Sequence, residues 1–285
     1  NAAQALGDPT LRAALARLQH DTRTSRPLLL DRLPEFGALR DAAADIRTGG
    51  LDNLDSHLEN FERNVLDQGG HVHWCRTDED ACAAIYEICR AHGAKSVVKG
   101  KSMVSEEIAL NDYLQARDLE VVETDLGEYI LQLRGETPSH VVMPAIHLTQ
   151  DGIAETFHDS HLDLDAARDL TQARNLTDEA RDKLRGKFIA ADIGITGANF
   201  LVAETGTAVI VTNEGNGDLT QTLPPVHIVL ASIEKVIPTI ADALSLIRVL
   251  ARSATGQEIT CYTTFATGLR RDGDEAVEAA AHVDL

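Results

Sequence analysis

Apolar residues near the start of the chain recur at helical spacing. Leu11, Ala14, Leu15 and Leu18 predict one helix, which Arg26-Pro27 interrupts. Residues 35–47 predict a second, closed by Gly49-Gly50. Residues 1–50 therefore read as an N-terminal helical arm, and arms of this kind pack on the body or on a partner. From residue 51 the pattern strengthens into an α/β body, residues 51–285. Leu51, Leu54, Leu58, Phe61 and Val65 mark an amphipathic helix that ends at Gly69-Gly70.

Residues 71–75 alternate in the manner of a strand. Thr77 is placed to cap the next helix, with Asp78, Glu79 and Asp80 favouring its dipole. Short apolar strands are predicted at residues 96–98, 119–122 and 141–143, with a helix from about Ser105 and another over 126–133. Strand and helix alternate at short spacing, which points to a parallel sheet with crossover helices. Residues 149–187 read as helical throughout. Residues 199–203 and 207–212 flank Glu204-Thr205-Gly206 as a hairpin. Residues 226–231 form a fully apolar strand of buried type. A helix over 237–250 and a strand over 259–263 complete the pattern. The expected fold class is α/β, a parallel or mixed sheet between helices.

At 285 residues the chain can bury roughly three quarters of its unfolded surface. Its 45 acidic against 26 basic residues give a formal charge of −19, which disfavours nucleic acid and anionic membranes as partners. The four cysteines, Cys75, Cys82, Cys89 and Cys261, show no Cys-x-x-Cys spacing and read as reduced thiols. No apolar run approaches the roughly 20 residues of a membrane span, and no secretory signal shows, so the expected location is cytoplasmic. Asn1 and Leu285 look like cuts in a longer protein.

Four segments at strand ends carry candidate chemistry, because ligands of open α/β sheets bind at the carboxyl ends of strands. In the first, Lys99, Lys101 and Ser102 suit a carboxylate or phosphate, although the spacing is not that of a phosphate-binding Walker loop. A solvated basic turn with a capping serine explains the same residues. In the second, Thr124, Asp125 and Glu128 can position a hydroxyl or a proton, or cap a helix. In the third, His147 is a candidate general base, or a satisfied structural histidine. In the fourth, Glu204, Thr205 and Gly206 form a polar turn, with Asn199 before it and Asn213 and Glu214 after it. Glu204 there is a candidate nucleophile or base; ordinary tight turns are the alternative. His71/His73 and His158/His161 offer two-point metal contacts without a third ligand, so no metal is expected.

Several longer runs resemble one family. They are Lys101-Ser102-Met103-Val104-Ser105-Glu106-Glu107, Glu123-Thr124-Asp125-Leu126-Gly127-Glu128-Tyr129-Ile130, and Pro138-Ser139-His140 through Pro144-Ala145-Ile146-His147. With them go Gly197-Ala198-Asn199-Phe200 through Glu204-Thr205-Gly206-Thr207, and Asn213-Glu214-Gly215-Asn216. In this order they are similar to the lactate-utilisation (LUD) domain, in its B-type, iron–sulfur branch. The resemblance implies a fold like that of glucosamine-phosphate deaminases, ribose-phosphate isomerases and CoA-transferases. It implies a role in oxidising L-lactate to pyruvate, with electron transport and with A- and C-type subunits as partners; a homo-oligomer is compatible with it. It also implies 4Fe-4S clusters held by a Cys-x-x-Cys-x-x-Cys segment. This sequence has no such segment, so no cofactor is expected within these residues.

The resemblance assigns a small hydroxy or keto acid as ligand. On a physical reading, Lys99 and Lys101 would hold its carboxylate, and His147 or Glu204 would handle its hydroxyl proton. Two alternatives remain open: a CoA-transferase-like or sugar-phosphate-isomerase-like enzyme with Glu204 as nucleophile or base, and a non-catalytic scaffold subunit.

Overall fold

Alternating apolar residues place the first sheet between two helical layers. The computed structural model describes residues 7, 9–140, 143–254, 257–258, 260–269 and 282–284. Strands β1 (Ser96–Lys99), β2 (Glu120–Glu123), β3 (Ile193–Thr196), β6 (Val226–Val229) and β9 (His282–Asp284) form a sheet of order β2-β1-β3-β6-β9, with every neighbouring pair parallel. Side chains of a strand alternate between faces. Val97 and Val121 therefore join Ile193, Ile195, Val226 and Ile228 on one face. There they meet Cys82, Ile85, Ile88 and Cys89 of α4 (Asp78–Ala91), and Leu110 and Leu114 of α6 (Leu110–Gln115). Val98 and Val122 point the other way, towards α7 (Leu126–Arg134), α8 (Gln150–Ser160) and α9 (Ala173–Ala190).

A second, mixed sheet has the order β7-β4-β5-β8, from β4 (Phe200–Val202), β5 (Thr207–Thr212), β7 (Val236–Ile237) and β8 (Tyr262–Thr267). On one face Phe200, Val202, Val209 and Ile237 pack with α11 (Ile240–Ala254) and with Phe36 and Ala43 of α2 (Phe36–Asp52). On the other, Leu201, Ala203, Ala208 and Val236 meet Phe61 and Val65 of α3 (Leu54–Asp67), together with Val229 of the parallel sheet. That last cluster fastens the two sheets to each other. The second helix of the arm is thus part of the body's core.

Several boundaries differ from the sequence pattern. Helix α1 (Pro9–Asp31) runs through Arg26-Pro27 rather than breaking there. Helix α2 continues through Gly49-Gly50 because it lies against β7: a Cβ at Gly50 would sit 3.0 Å from the carbonyl oxygen of Val236. Residues 72–75 belong to no strand, so the predicted strand is only an isolated bridge at His71. The stretch 149–187 holds two helices with an irregular link over 161–172. The third predicted strand lies largely outside the described residues, and Met143, its last member, is not in a strand. The last predicted strand lies further on, as β8 over Tyr262–Thr267. No helix among the described residues is long and apolar enough to cross a membrane.

Candidate functional site

The carboxyl ends of β1, β3 and β6 open into one cleft of about 600 Å³. Backbone bonds extend the ladder one residue past each strand. Gly100 N–H donates to the Ile195 carbonyl at 2.8 Å, and Leu230 N–H to the Thr196 carbonyl at 2.8 Å. This holds Gly100–Lys101, Gly197–Asn199 and Leu230–Ser232 side by side along one wall. The second sheet supplies the opposite wall through Ile210, Val211 and Thr212 of β5, followed by Asn213 and Glu214.

Lys101, Ser102, Asp125, Asn199, Asn213 and Glu214 all line this cleft. Ser102 also caps α5 (Met103–Glu107), its Oγ accepting from Ser105 N–H at 3.3 Å. Asn199 is fixed by its Oδ1, which accepts from Val211 N–H at 2.8 Å. Asp125 has two tasks. Its Oδ1 caps α7 by accepting from Gly127 and Glu128 N–H at 3.0 and 3.2 Å, and its side chain faces the cleft. Glu214 sits at the rim, where burial and the charge of Asp125 raise its pKa, against the lowering effect of Lys101 and Arg181. Carboxylates of Glu107 and Glu234 and the ammonium of Lys235 complete the charged lining. Four acids against two lysines disfavour a multiply charged anion and tolerate a single carboxylate placed beside a lysine.

Other expected residues lie elsewhere. Lys99 does not receive a ligand. Only 1% of its side chain is exposed, and its Nζ is engaged by Glu123 Oε1 at 2.9 Å and Ser105 Oγ at 2.9 Å. Thr124 is buried beneath the cleft, its hydroxyl donating to the Lys99 carbonyl at 3.0 Å. Glu128 is buried as well, 5% exposed, and faces Glu106 and Glu123 rather than the cleft. Burial first, then the Glu123 charge and a bond with Glu106, push its carboxyl up to about 9, with Lys99 opposing. Among the described residues neither Glu128 oxygen has a donor, as expected of a carboxyl that keeps its proton.

His147 lies outside the cleft. Its Nε2 is 2.9 Å from Glu136 Oε2 and its Nδ1 2.7 Å from Ser139 Oγ, a pairing that ties the 136–147 loop together. The Glu204-Thr205-Gly206 turn lies at the far end of β4 and β5 from Asn199 and Thr212. Gly206 has φ +64, and a Cβ there would stand 2.7 Å from the backbone nitrogen of Val65. Gln68 Nε2 donates to the Thr205 carbonyl at 2.6 Å, and Asn64 Nδ2 to the Ala203 carbonyl at 2.7 Å. Glu204 Oε2 accepts from Ile240 N–H at 3.1 Å, at the start of α11. The turn docks α3 and opens α11, so Glu204 is not placed to attack a ligand in the cleft, and the transferase-like reading loses its nucleophile.

The cleft also contains residues the sequence reading passed over: Thr196 and, in the loop after β6, Ser232, Glu234 and Lys235. The strand-end rule that singled out Lys101 applies equally to the residues after 226–229, and would have found that loop.

The cysteines do not gather. Cys82 and Cys89 belong to the core, where burial raises the Cys89 thiol to about 12, while Cys75 and Cys261 are exposed. Among the described residues no three His, Cys, Asp or Glu side chains are arranged to hold a metal ion. The thiols present do not fit an iron–sulfur cluster.

A parallel sheet between helices, with a mixed sheet closing a polar cleft at its carboxyl strand ends, defines an open-sheet α/β domain with a site of ligand size. Its family is given by comparison. A LUD domain model matches residues 58–283, and the chain belongs to that family. It is 44% identical over 270 residues to the uncharacterized electron transport protein YkgF of Escherichia coli K12, covering 95% of this chain and 56% of that protein. It is 41% identical to lactate utilization protein B of Bacillus velezensis, covering 93% and 55%, and 40% identical to that of Bacillus subtilis, covering 95% and 56%. The chain thus spans just over half the length of these relatives. A solved DUF162 family protein from Deinococcus radiodurans aligns loosely, at 14% identity and a TM-score of 0.40, over 81% of this chain and 96% of that one.

Proposed function

We propose that this domain receives L-lactate, or a closely similar small hydroxy or keto acid, within a cytoplasmic complex that oxidises lactate to pyruvate with A- and C-type partner subunits. The observation that carries the reading is the grouping of Lys101, Asp125 and Glu214 with Asn199 and Asn213 in one cleft at the strand ends. The names of the B-type relatives support the choice of substrate. Lys101 pairs with the carboxylate, and the asparagine amides are donors for the hydroxyl or carbonyl oxygen. Oxidation of lactate removes two electrons and two protons. Glu214, which lines the cleft and whose pKa burial and Asp125 raise, takes the hydroxyl proton. The second proton, from C2, and both electrons would pass to an electron acceptor of iron–sulfur type held elsewhere in the complex, since the thiols of these residues do not fit a cluster.

Calorimetry tests the reading. The wild-type chain is expected to bind L-lactate and pyruvate, and Lys101→Ala to weaken both by about ten- to a hundredfold, the loss of one charged hydrogen bond. Glu214→Gln is expected to bind normally but to slow lactate turnover in the assembled complex. Unchanged affinity in the first and unchanged turnover in the second would remove both residues from the site.

A further inference from the structure

The cleft adjoins a second, apolar chamber. Its volume is about 340 Å³, and Leu58, Phe61, Val72, Trp74, Ala84 and Ile108 are among the residues that line it. Val104, Leu230, Ala231 and Ser232 belong to both linings, so the two spaces meet across a mainly apolar ridge. The charged residues of its lining, Arg76 and Asp78, are exposed. Phe61 of α3, Ile85 of α4 and the 72–75 segment line the chamber. A three-carbon acid fills little of the polar cleft, since volumes of roughly 300–1,000 Å³ suit much larger ligands.

We propose that cleft and chamber together hold one bipartite ligand: a 2-hydroxy or 2-oxo acid whose apolar side chain is longer than the methyl group of lactate. This rests on the reading that the cleft holds the acid headgroup. The headgroup lies beside Lys101 and Glu214, and the side chain crosses the ridge between Val104 and Leu230. Its tail displaces water from the space bounded by Phe61, Trp74 and Ala84. Transfer of each further methylene out of water then adds to affinity until the chamber is full.

Trp74 makes this measurable. It is the single tryptophan of the chain, it lines the chamber with 49% of its surface exposed, and its Nε1 donates to Glu62 at 2.8 Å. The full chain is titrated with L-lactate and with straight-chain L-2-hydroxy acids from four to eight carbons, followed by calorimetry and tryptophan fluorescence. Affinity is expected to rise by about fourfold per methylene, with a blue shift of Trp74 emission for the longer acids and none for lactate. Ala84→Phe, which fills the chamber, is expected to bring the ratio of eight-carbon to three-carbon affinity close to one; its thermal melt reports whether it folds. Lactate binding with no dependence on chain length would overturn the inference and leave the headgroup reading intact. Plain octanoate binding as well as its 2-hydroxy form would overturn the acid class assigned. Failure of every acid to bind would remove the headgroup reading and this inference with it.

Discussion

Lys99 and Glu123 stand opposite each other on adjacent parallel strands, and their side chains close to 2.9 Å where neither is more than 6% exposed. Asn111 Nδ2 adds a bond of 2.6 Å to the same Glu123 oxygen. The pair therefore braces the floor of the cleft and does not receive its ligand. Removing one partner strands the other charge without solvent. Lys99→Met is expected to cost about 3–5 kcal/mol. The double variant Lys99→Met/Glu123→Leu should cost clearly less than the sum of the single changes. Urea denaturation of the four proteins measures this, and simple additivity would show that the two charges do not depend on each other.

Glu128 gives a pH dependence of definite sign. Its carboxyl is held at about 9 in the folded chain against an ordinary 4.5. Above pH 4.5 the unfolded chain releases this proton and the native chain retains it. Stability that is complete at low pH is therefore lost as pH rises towards 9. Glu128→Gln, which keeps the shape and cannot ionise, should flatten this decline. The check is a series of thermal melts between pH 5 and pH 9. If both proteins lost stability in parallel across that range, the buried proton would have to be placed on another group.

Asp125 separates two tasks that one side chain performs. Asp125→Asn retains an oxygen able to cap α7 and should change stability by only a few tenths of a kcal/mol, whereas Asp125→Ala should cost about 1 kcal/mol. Both changes remove the charge that raises the Glu214 pKa. The pH profile of lactate turnover in the assembled complex should therefore move to lower pH in both variants, while the melting temperature falls only in the second. Titration by NMR of the Glu214 carboxyl reads the first effect directly.

Gly206→Ala tests the docking of α3. The left-handed backbone there resists a side chain, and the new methyl group would meet the main chain of Asn64 and Val65 rather than a flexible tip. The expected loss is about 3 kcal/mol, with amide exchange rising first along Leu54–Asp67. Protection that stayed unchanged in that helix would mean the turn is not its anchor.

Local signals were legible where a single segment decides its own conformation. The strand predicted over 207–212 on one side of a polar turn matches β5 residue for residue, and Thr77 caps α4 as its position suggests, accepting from Asp80 N–H at 3.1 Å. The strand-end rule groups Lys101, Asp125, His147 and Glu204; the parallel sheet gathers the first two at its carboxyl ends, while His147 and Glu204 lie elsewhere. What could not be read depends on pairing between distant strands. Lys99 looks like a ligand hook until the register sets Glu123 beside it. Glu204 looks like a nucleophile until the hairpin is seen end-on. Its strands run antiparallel, so the turn that joins them points away from the end that carries Asn199 and Thr212. Residues 161–172 carry helix-forming side chains, yet Arg168, His161 and Glu179 draw the link into a bonded knot, with Glu179 2.7 Å from both partners.

Val229 ends a strand of the parallel sheet, yet it is packed among Phe61, Leu201 and Ala208 of the other layer. The two banks of the binding channel are therefore moored by the same few aliphatic contacts. A trimmed methyl group at that mooring would let the banks drift apart, so a conservative core substitution there should register as weakened recognition before it registers as unfolding.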